Sequence, residues 1–391
     1  MALVAVFDFL SHAQMHLPFN EGYLRTLRAA FPEDEIIFCG IEGQVSSLRA
    51  RMTGVPNLQM QAIRGFTVPF GVSRHHPVGG WLAARACLTT LKAAIAGKPL
   101  RLAVVMGAEA NIQAAIRRGW PGISAAPLHI ILHNYIAVST QWRSRNPLNW
   151  LFDMQAELQR PLPTNVKLVT LELGIAEAVS KLAPSMTNAL VTLEHPIAEG
   201  DWSDAIPSSG PMKIGFPGNA GIDKGFMHFL DFARSYGSSK LEFHAIGLAP
   251  APSRRPDMSA LATPASPDLV PRDAYAAQLA ACDLVCLPLS PIYDYVASGS
   301  VIDAIATLKP IYAVHTTSYD RMTERYGPFG VLANDTSELG EIIGALSRPQ
   351  FAAESPRWIA NLRNLREARR PACLAADYRR LVRHSSSARA Y

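Results

Sequence analysis

The stretch GFPGNAGIDKG, residues 215–225, leaves a short apolar run through glycines and enters KGFMHFLDFA, whose apolar residues fall at helical spacing. A glycine-rich turn feeding a helix turns free backbone N–H groups and the positive end of the helix dipole toward an anion. Lys224 adds a cation, so the chemistry on offer is phosphate binding. An ordinary strand-to-helix connection has the same local pattern, and a second feature must decide. That feature is YDYVASGSVIDAIATLKPIYAV, residues 293–314, where Ser298, Gly299 and Ser300 precede the helical run VIDAIATL and Ser298 or Ser300 is positioned to cap it. Two helix beginnings at one sheet edge suit a diphosphate, because each adds about half a positive charge.

The amino half offers a different set. Asp8, His12 and His16 in SHAQMH, Glu109, His133, Asn134 and Glu172 all fall where expected strands end. Carboxyl ends of strands in a doubly wound sheet line the ligand cleft, so topology favours these positions. His12 and His16 are four residues apart and share a face if helical, but no third ligand accompanies them and no metal site follows. No Asp-x-Asp pair occurs in the chain, so a metal bridging a diphosphate is not implied either.

Strands and helices must place these groups. Near-continuous apolar runs read as buried strands: ALVAVFDF, EIIFCG, LQMQAI, RLAVVMG, LHIILH, VKLVTLE and ALVTLEH, then MKIGFPG, LEFHAIG, DLVCLPL, PIYAV and GVLAN. Alternating with helical patterns, they predict two doubly wound α/β domains with parallel sheets covered on both faces. A chain of 391 residues, 49% hydrophobic, is long enough for two such cores. The break falls in PIAEGDWSDAIPSSGPM, residues 196–212, which gives an amino-terminal domain over 1–205, a second over 210–354 and a helical segment over 355–391 that could pack back on the amino-terminal domain. In that last segment Trp358, Leu362 and Leu365 share one helical face, Arg363, Arg366 and Arg370 another, and Pro371 should end or kink the helix. Residues 249–273 lack periodicity and read as a functional lid or a disordered loop at the carboxyl edge of the second sheet.

Composition narrows the function classes. The opening MALVAVFDFL lacks a basic leader, and Asp8 interrupts it, so it reads as a first strand, not a signal peptide. No stretch approaches the roughly 20 apolar residues of a membrane span, which predicts a cytoplasmic protein, at most peripheral to a membrane. The five cysteines lack metal-ligand spacing and read as buried thiols. A net charge of +5 suits an anionic substrate or lipid surface and is too small to argue for nucleic acid. Aromatics mix with cations over residues 64–86 and 141–154, as they do where protein meets anionic lipid or at the edge of a core.

With both motifs in view, GNAGIDKG and YVASGSVIDAIATLKPIYAV resemble the donor half of GT-B-type glycosyltransferases, most nearly the family 4 group, over roughly residues 212–350. The resemblance implies two Rossmann-like domains facing a cleft, a nucleotide diphosphate sugar as donor, a saccharide or lipid-linked saccharide as acceptor bound by the amino half, and no metal or other cofactor. It puts Gly218, Asn219, Lys224, Tyr295, Ser298, Gly299, Ser300 and Asp303 around the donor. Lys224 takes the family's diphosphate Lys position and Asp303 that of its ribose-binding Glu. Asn219 replaces an Arg, and Tyr295 replaces the Glu that contacts the sugar. The Ala-Ser-Gly-Ser entry resembles an exopolysaccharide-type variant. Arg254, Arg255 and Arg272 are candidates for the missing cation. His133 closes the strand that in the family ends in a His contacting sugar or phosphate. An inverting reaction would require a base, from Asp8, His12 or His16, whereas a retaining one would not. Two other readings stay open: a sugar-nucleotide epimerase of the same fold, and a non-catalytic nucleotide-sugar-binding or scaffold protein.

Overall fold

Along LVAVFD the side chains alternate between two apolar layers, Leu3, Ala5 and Phe7 joining one and Val4 and Val6 the other, with every residue of the strand buried. Fully burying each such aliphatic side chain is worth roughly 1.5–3 kcal/mol, and a strand covered on both faces belongs inside a parallel sheet. The computed structural model describes residues 1–11, 15–63, 77–133, 136, 147, 150, 153–198, 210–251 and 255–387. The chain divides into two compact units, Met1–Ala198 with Tyr295–Ala297 and Arg369–Tyr391, and Glu199–Asp294 with Ser298–Ala368.

In the first unit β1 (Leu3–Asp8), β2 (Glu35–Gly40), β3 (Leu58–Ala62), β4 (Leu100–Val105), β5 (Leu128–Ile131), β6 (Val166–Thr170) and β7 (Leu190–Thr192) form one parallel sheet in the order β3-β2-β1-β4-β5-β6-β7. Its helices are α1 (Leu17–Ala30), α2 (Glu42–Arg51), α3 (Pro77–Ile95), α4 (Ala110–Gly119), α5 (Met154–Leu158) and α6 (Leu173–Leu182). In the second unit β8 (Met212–Pro217), β9 (Leu241–Ile246), β10 (Leu284–Leu287), β11 (Ile311–Val314) and β12 (Gly330–Ala333) form a parallel sheet in the order β12-β11-β10-β8-β9. With it go α7 (Phe226–Tyr236), α8 (Arg272–Ala280), α9 (Gly299–Ala306), α10 (Thr317–Tyr326), α11 (Thr336–Gly344) and α12 (Arg348–Ala368), while α13 (Pro371–Ser387) belongs to the first unit. All twelve strands expected from the sequence are formed. The strand order reverses between β1 and β4 in one sheet and between β8 and β10 in the other, and such switch points are where doubly wound sheets hold ligands.

Three local expectations are corrected. The described part of the segment 249–273 is not a lid: Thr263 bridges His244 and Ser266 bridges Leu248. The Ala245 amide donates to the Thr263 carbonyl at 2.8 Å and the Ala262 amide to the Phe243 carbonyl at 2.9 Å. β9 is an edge strand whose unpaired backbone groups need partners, and Leu261 and Ala265 add their side chains to the core. The second correction concerns Arg366, which is buried with Nη1 donating to the Ala306 carbonyl at 3.1 Å instead of facing solvent, while Trp358, Leu362 and Leu365 are buried as expected. Finally, four cysteines are buried and Cys373 is exposed.

Two buried polar contacts fix the return of the chain to the first unit. Arg369, fully buried, makes a bidentate pair with Glu172, Nη1 to Oε1 at 2.6 Å and Nη2 to Oε2 at 2.8 Å. On α13 the Tyr378 hydroxyl meets the Tyr23 hydroxyl from α1 and the His129 Nδ1 from β5, the latter at 3.0 Å. Among the described residues no helix is long and apolar enough to cross a membrane.

Candidate active site

At the switch point of the second sheet, β8 ends at Pro217 and the chain turns through Gly218 with φ 88°. Burial at this turn leaves two oxygens and one ammonium to satisfy one another. Lys224 Nζ donates to the Pro217 carbonyl at 2.7 Å and to the Ser300 hydroxyl, which itself donates to the same carbonyl at 2.7 Å. The ammonium also lies 5.6 Å from the centroid of the Phe216 ring. Neutral oxygens hold Lys224, and burial lowers its pKa to about 8, with Asp303 pulling the other way. A Cβ at Gly218 would stand 2.6 Å from that ammonium and 2.9 Å from the Ser300 hydroxyl, so only glycine lets both groups pack against the turn. Gly225, φ 81°, allows α7 to start close to β10, where a Cβ would meet the Pro288 carbonyl at 1.8 Å.

α9 starts at Gly299, with Ser298 at its N-cap position, but the expected serine cap does not form. The Ser300 hydroxyl is committed to Pro217, and the Ser298 hydroxyl, on a residue only 8% exposed, has no hydrogen-bond partner. The start of α9 is therefore free of a side-chain acceptor, the condition in which a helix end attracts an anion. One turn further on, Asp303 accepts from Arg272 Nη2 at 2.9 Å and from the Tyr275 hydroxyl at 2.7 Å. Arg272, a candidate for the missing cation, thus orients the carboxylate; Arg255 is exposed and Arg254 lies outside the described residues. Asn219 and Gly299 are exposed beside the turn. The structure brings Gly218, Lys224, Ser300 and Asp303 together. Tyr295, expected with them, groups with the first unit, where it packs half-buried against the apolar core.

The first unit gathers a second polar cluster at the ends of β1 and β5. Asp8 Oδ1 accepts from the amides of Leu10 (3.2 Å) and Ser11 (2.9 Å), and Oδ2 from Asn20 Nδ2 (2.7 Å), which folds the loop after β1 back onto α1. His16 precedes α1 with φ 55°, and its ring lies 4.5 Å from that of His133. Phe19 packs against His133 at 4.5 Å and against His195 at 4.8 Å. Burial lowers the His16 pKa against the pull of Asp8. Burial likewise holds His133 well below the ordinary value, with His16 and His195 adding to the effect, and lowers His195 to about 3 with help from Arg369. These imidazoles are neutral near pH 7, and His133 Nε2 is buried with no hydrogen-bond partner. His12 and Asn134 lie outside the described residues. His195 was not anticipated, although it follows a strand just as His133 does. Glu109, 5% exposed, precedes α4. Among the described residues no group of three or more His, Cys, Asp or Glu is placed to hold a metal ion.

No protein-family model and no curated protein matches the sequence. Among solved structures, the chain is similar to a glycosyltransferase from Rickettsia africae ESF-5, at 9% identity over 99% of this chain and 98% of that one, with a TM-score of 0.64. It is similar to the N-terminal domain of Candida albicans trehalose-6-phosphate phosphatase, at 11% identity over 98% and 97% of the chains, with a TM-score of 0.60. It is also similar to Arabidopsis thaliana UGT89C1 complexed with UDP, at 13% identity over 99% and 100% of the chains, with a TM-score of 0.56. At these identities what is shared is the fold, and the two parallel α/β sheets are those of the GT-B architecture.

Proposed function

We propose that this chain is a glycosyltransferase, family 4-like and of the exopolysaccharide type, that moves a hexose from a nucleoside diphosphate to a saccharide or lipid-linked saccharide without a metal ion. The observation that carries the reading is the turn at Gly218, where the Lys224 ammonium, the Ser300 hydroxyl and the uncapped start of α9 meet at a sheet switch point. As the bond from sugar to phosphate breaks, negative charge grows on the leaving diphosphate, and fixed donors aimed at it stabilise the transition state more than the ground state. Lys224 and the first amides of α9 are those donors. Asp303, already oriented by Arg272 and Tyr275, keeps lone pairs for the vicinal hydroxyls of a ribose. A protein of the same fold holds UDP, which makes nucleoside diphosphates the first ligands to try.

The acceptor belongs to the first unit, where His133 Nε2 and its neighbours provide neutral hydrogen-bonding groups. Histidines held neutral this far below their usual range are weak bases, and Asp8 already accepts three hydrogen bonds that hold its loop, so the reading includes a reaction that retains the configuration of the sugar. It places the enzyme in the cytoplasm, at the inner face of the membrane when the acceptor is lipid-linked. Incubation with UDP-, GDP- and ADP-sugars and an acceptor series, in the presence of a chelator, tests it: nucleoside diphosphate should be released only when an acceptor is added. Donor binding without turnover on any acceptor would instead favour a non-catalytic nucleotide-sugar-binding protein, a reading to which the half-buried Tyr295, packed in the first unit, lends weight.

A further inference from the structure

Neither α3 nor α4 contains an acidic residue. On the outward side of α3, Val78, Trp81 and Leu82 are 71%, 44% and 56% exposed. Arg85 and Lys92 follow on the same side at helical spacing, both exposed. The Arg85 guanidinium lies 4.7 Å from the Trp81 ring centroid, and both line a cavity of about 270 Å³ with Leu88, Asn111 and the exposed Arg118 of α4. Among the described residues Arg85, Lys92 and Arg118 make no ion pair. Three bulky apolar side chains thus stand in water beside three uncompensated cations.

We propose that this face of α3 and α4 docks on an anionic lipid bilayer, the indole of Trp81 with Val78 and Leu82 entering the headgroup boundary while Arg85, Lys92 and Arg118 meet lipid phosphates. Tryptophan favours that boundary and each nearby cation strengthens attraction to an anionic surface. A second copy of the chain fits less well. A closed two-fold pairing would set the patch against itself and bring six cations together, and three apolar side chains fall far short of the ~800 Å² per partner of a stable interface. Membrane docking stands on these two helices alone and holds whether or not the chain transfers sugars.

Flotation of the full chain with vesicles of phosphatidylcholine alone, and of phosphatidylcholine mixed with phosphatidylglycerol, tests the proposal. The protein should float with the mixed vesicles only, and less at high salt. Trp81→Ser combined with Leu82→Ser should abolish flotation. Arg85→Gln combined with Arg118→Gln should lower partitioning about 30-fold, roughly fivefold per cation. All four side chains are exposed, and a thermal melt unchanged from wild type confirms that each variant folds. Flotation that is absent, equal on neutral vesicles or undiminished in both variants would overturn the proposal. So would a concentration-dependent dimer that the Trp81→Ser, Leu82→Ser variant dissolves. The response of the melt to UDP, read on the same samples, reports the donor site separately.

Discussion

A methyl group at position 218 would crowd the Lys224 ammonium and the Ser300 hydroxyl on a backbone whose φ of 88° already disfavours a side chain, whereas one at Gly299 would meet nothing within 4 Å. Gly218→Ala should therefore cost about 1–3 kcal/mol in urea unfolding and weaken UDP binding at least ~10-fold, while Gly299→Ala changes stability by under ~0.5 kcal/mol. Equal effects at the two positions would remove Gly218 from the account. Lys224 makes a pH prediction with two signs. Burial lowers its pKa to about 8, so the folded state carries the cost of the buried charge below that pH, and the cost lifts as pH rises from about 8 toward the ordinary lysine value. Diphosphate affinity runs the opposite way, falling as the ammonium deprotonates above about 8. Titration calorimetry with UDP across that range should show the fall in wild type and a flat, weaker response in Lys224→Met. The cluster of Gly218, Lys224 and Ser300 was legible because glycine, lysine and serine occur there in a recognisable order. His195 was not, because its nearness to His133 depends on Phe19, which comes from a different element.

Elements were read from the sequence more reliably than their ends. Most strands announce themselves by an apolar run, since a strand buried on both faces has no polar position to blur it, whereas the edge strand β3, LQMQA, is partly exposed along its length. Capping is a matter of competing partners: the Ser300 hydroxyl could accept a helix amide as a cap or donate to the Pro217 carbonyl, and it donates. The described part of the segment 249–273 pairs with β9 at isolated bridges, too briefly to write a strand pattern. The return of α13 to the first unit was expected only as a packing possibility, and here one hydroxyl does much of the fixing. Tyr378→Phe removes a hydrogen-bond partner of both the Tyr23 hydroxyl and His129 Nδ1 in a fully buried setting. The variant should lose about 1–3 kcal/mol in chemical denaturation, and a loss near zero would mean that apolar packing alone docks the helix.

At the scale of the molecule, twelve strands in two parallel sheets follow from the hydrophobic rhythm, and the reversals of strand order mark an edge of each sheet for chemistry. Length and composition foretold two units; the interruption by Tyr295–Ala297 was invisible, because a three-residue excursion leaves no compositional trace. The central claim is that a diphosphate occupies the edge built by Gly218, Lys224 and Ser300, and thermal melts of wild type and Lys224→Met with UDP, GDP and ADP test it most directly. A ligand at about 100 times its Kd stabilises the folded state by about 2.7 kcal/mol. We expect at least one nucleoside diphosphate to raise the wild-type midpoint by an amount of that order, and Lys224→Met to lose most of the rise. No shift with any of the three, or the same shift in the variant, would contradict the account.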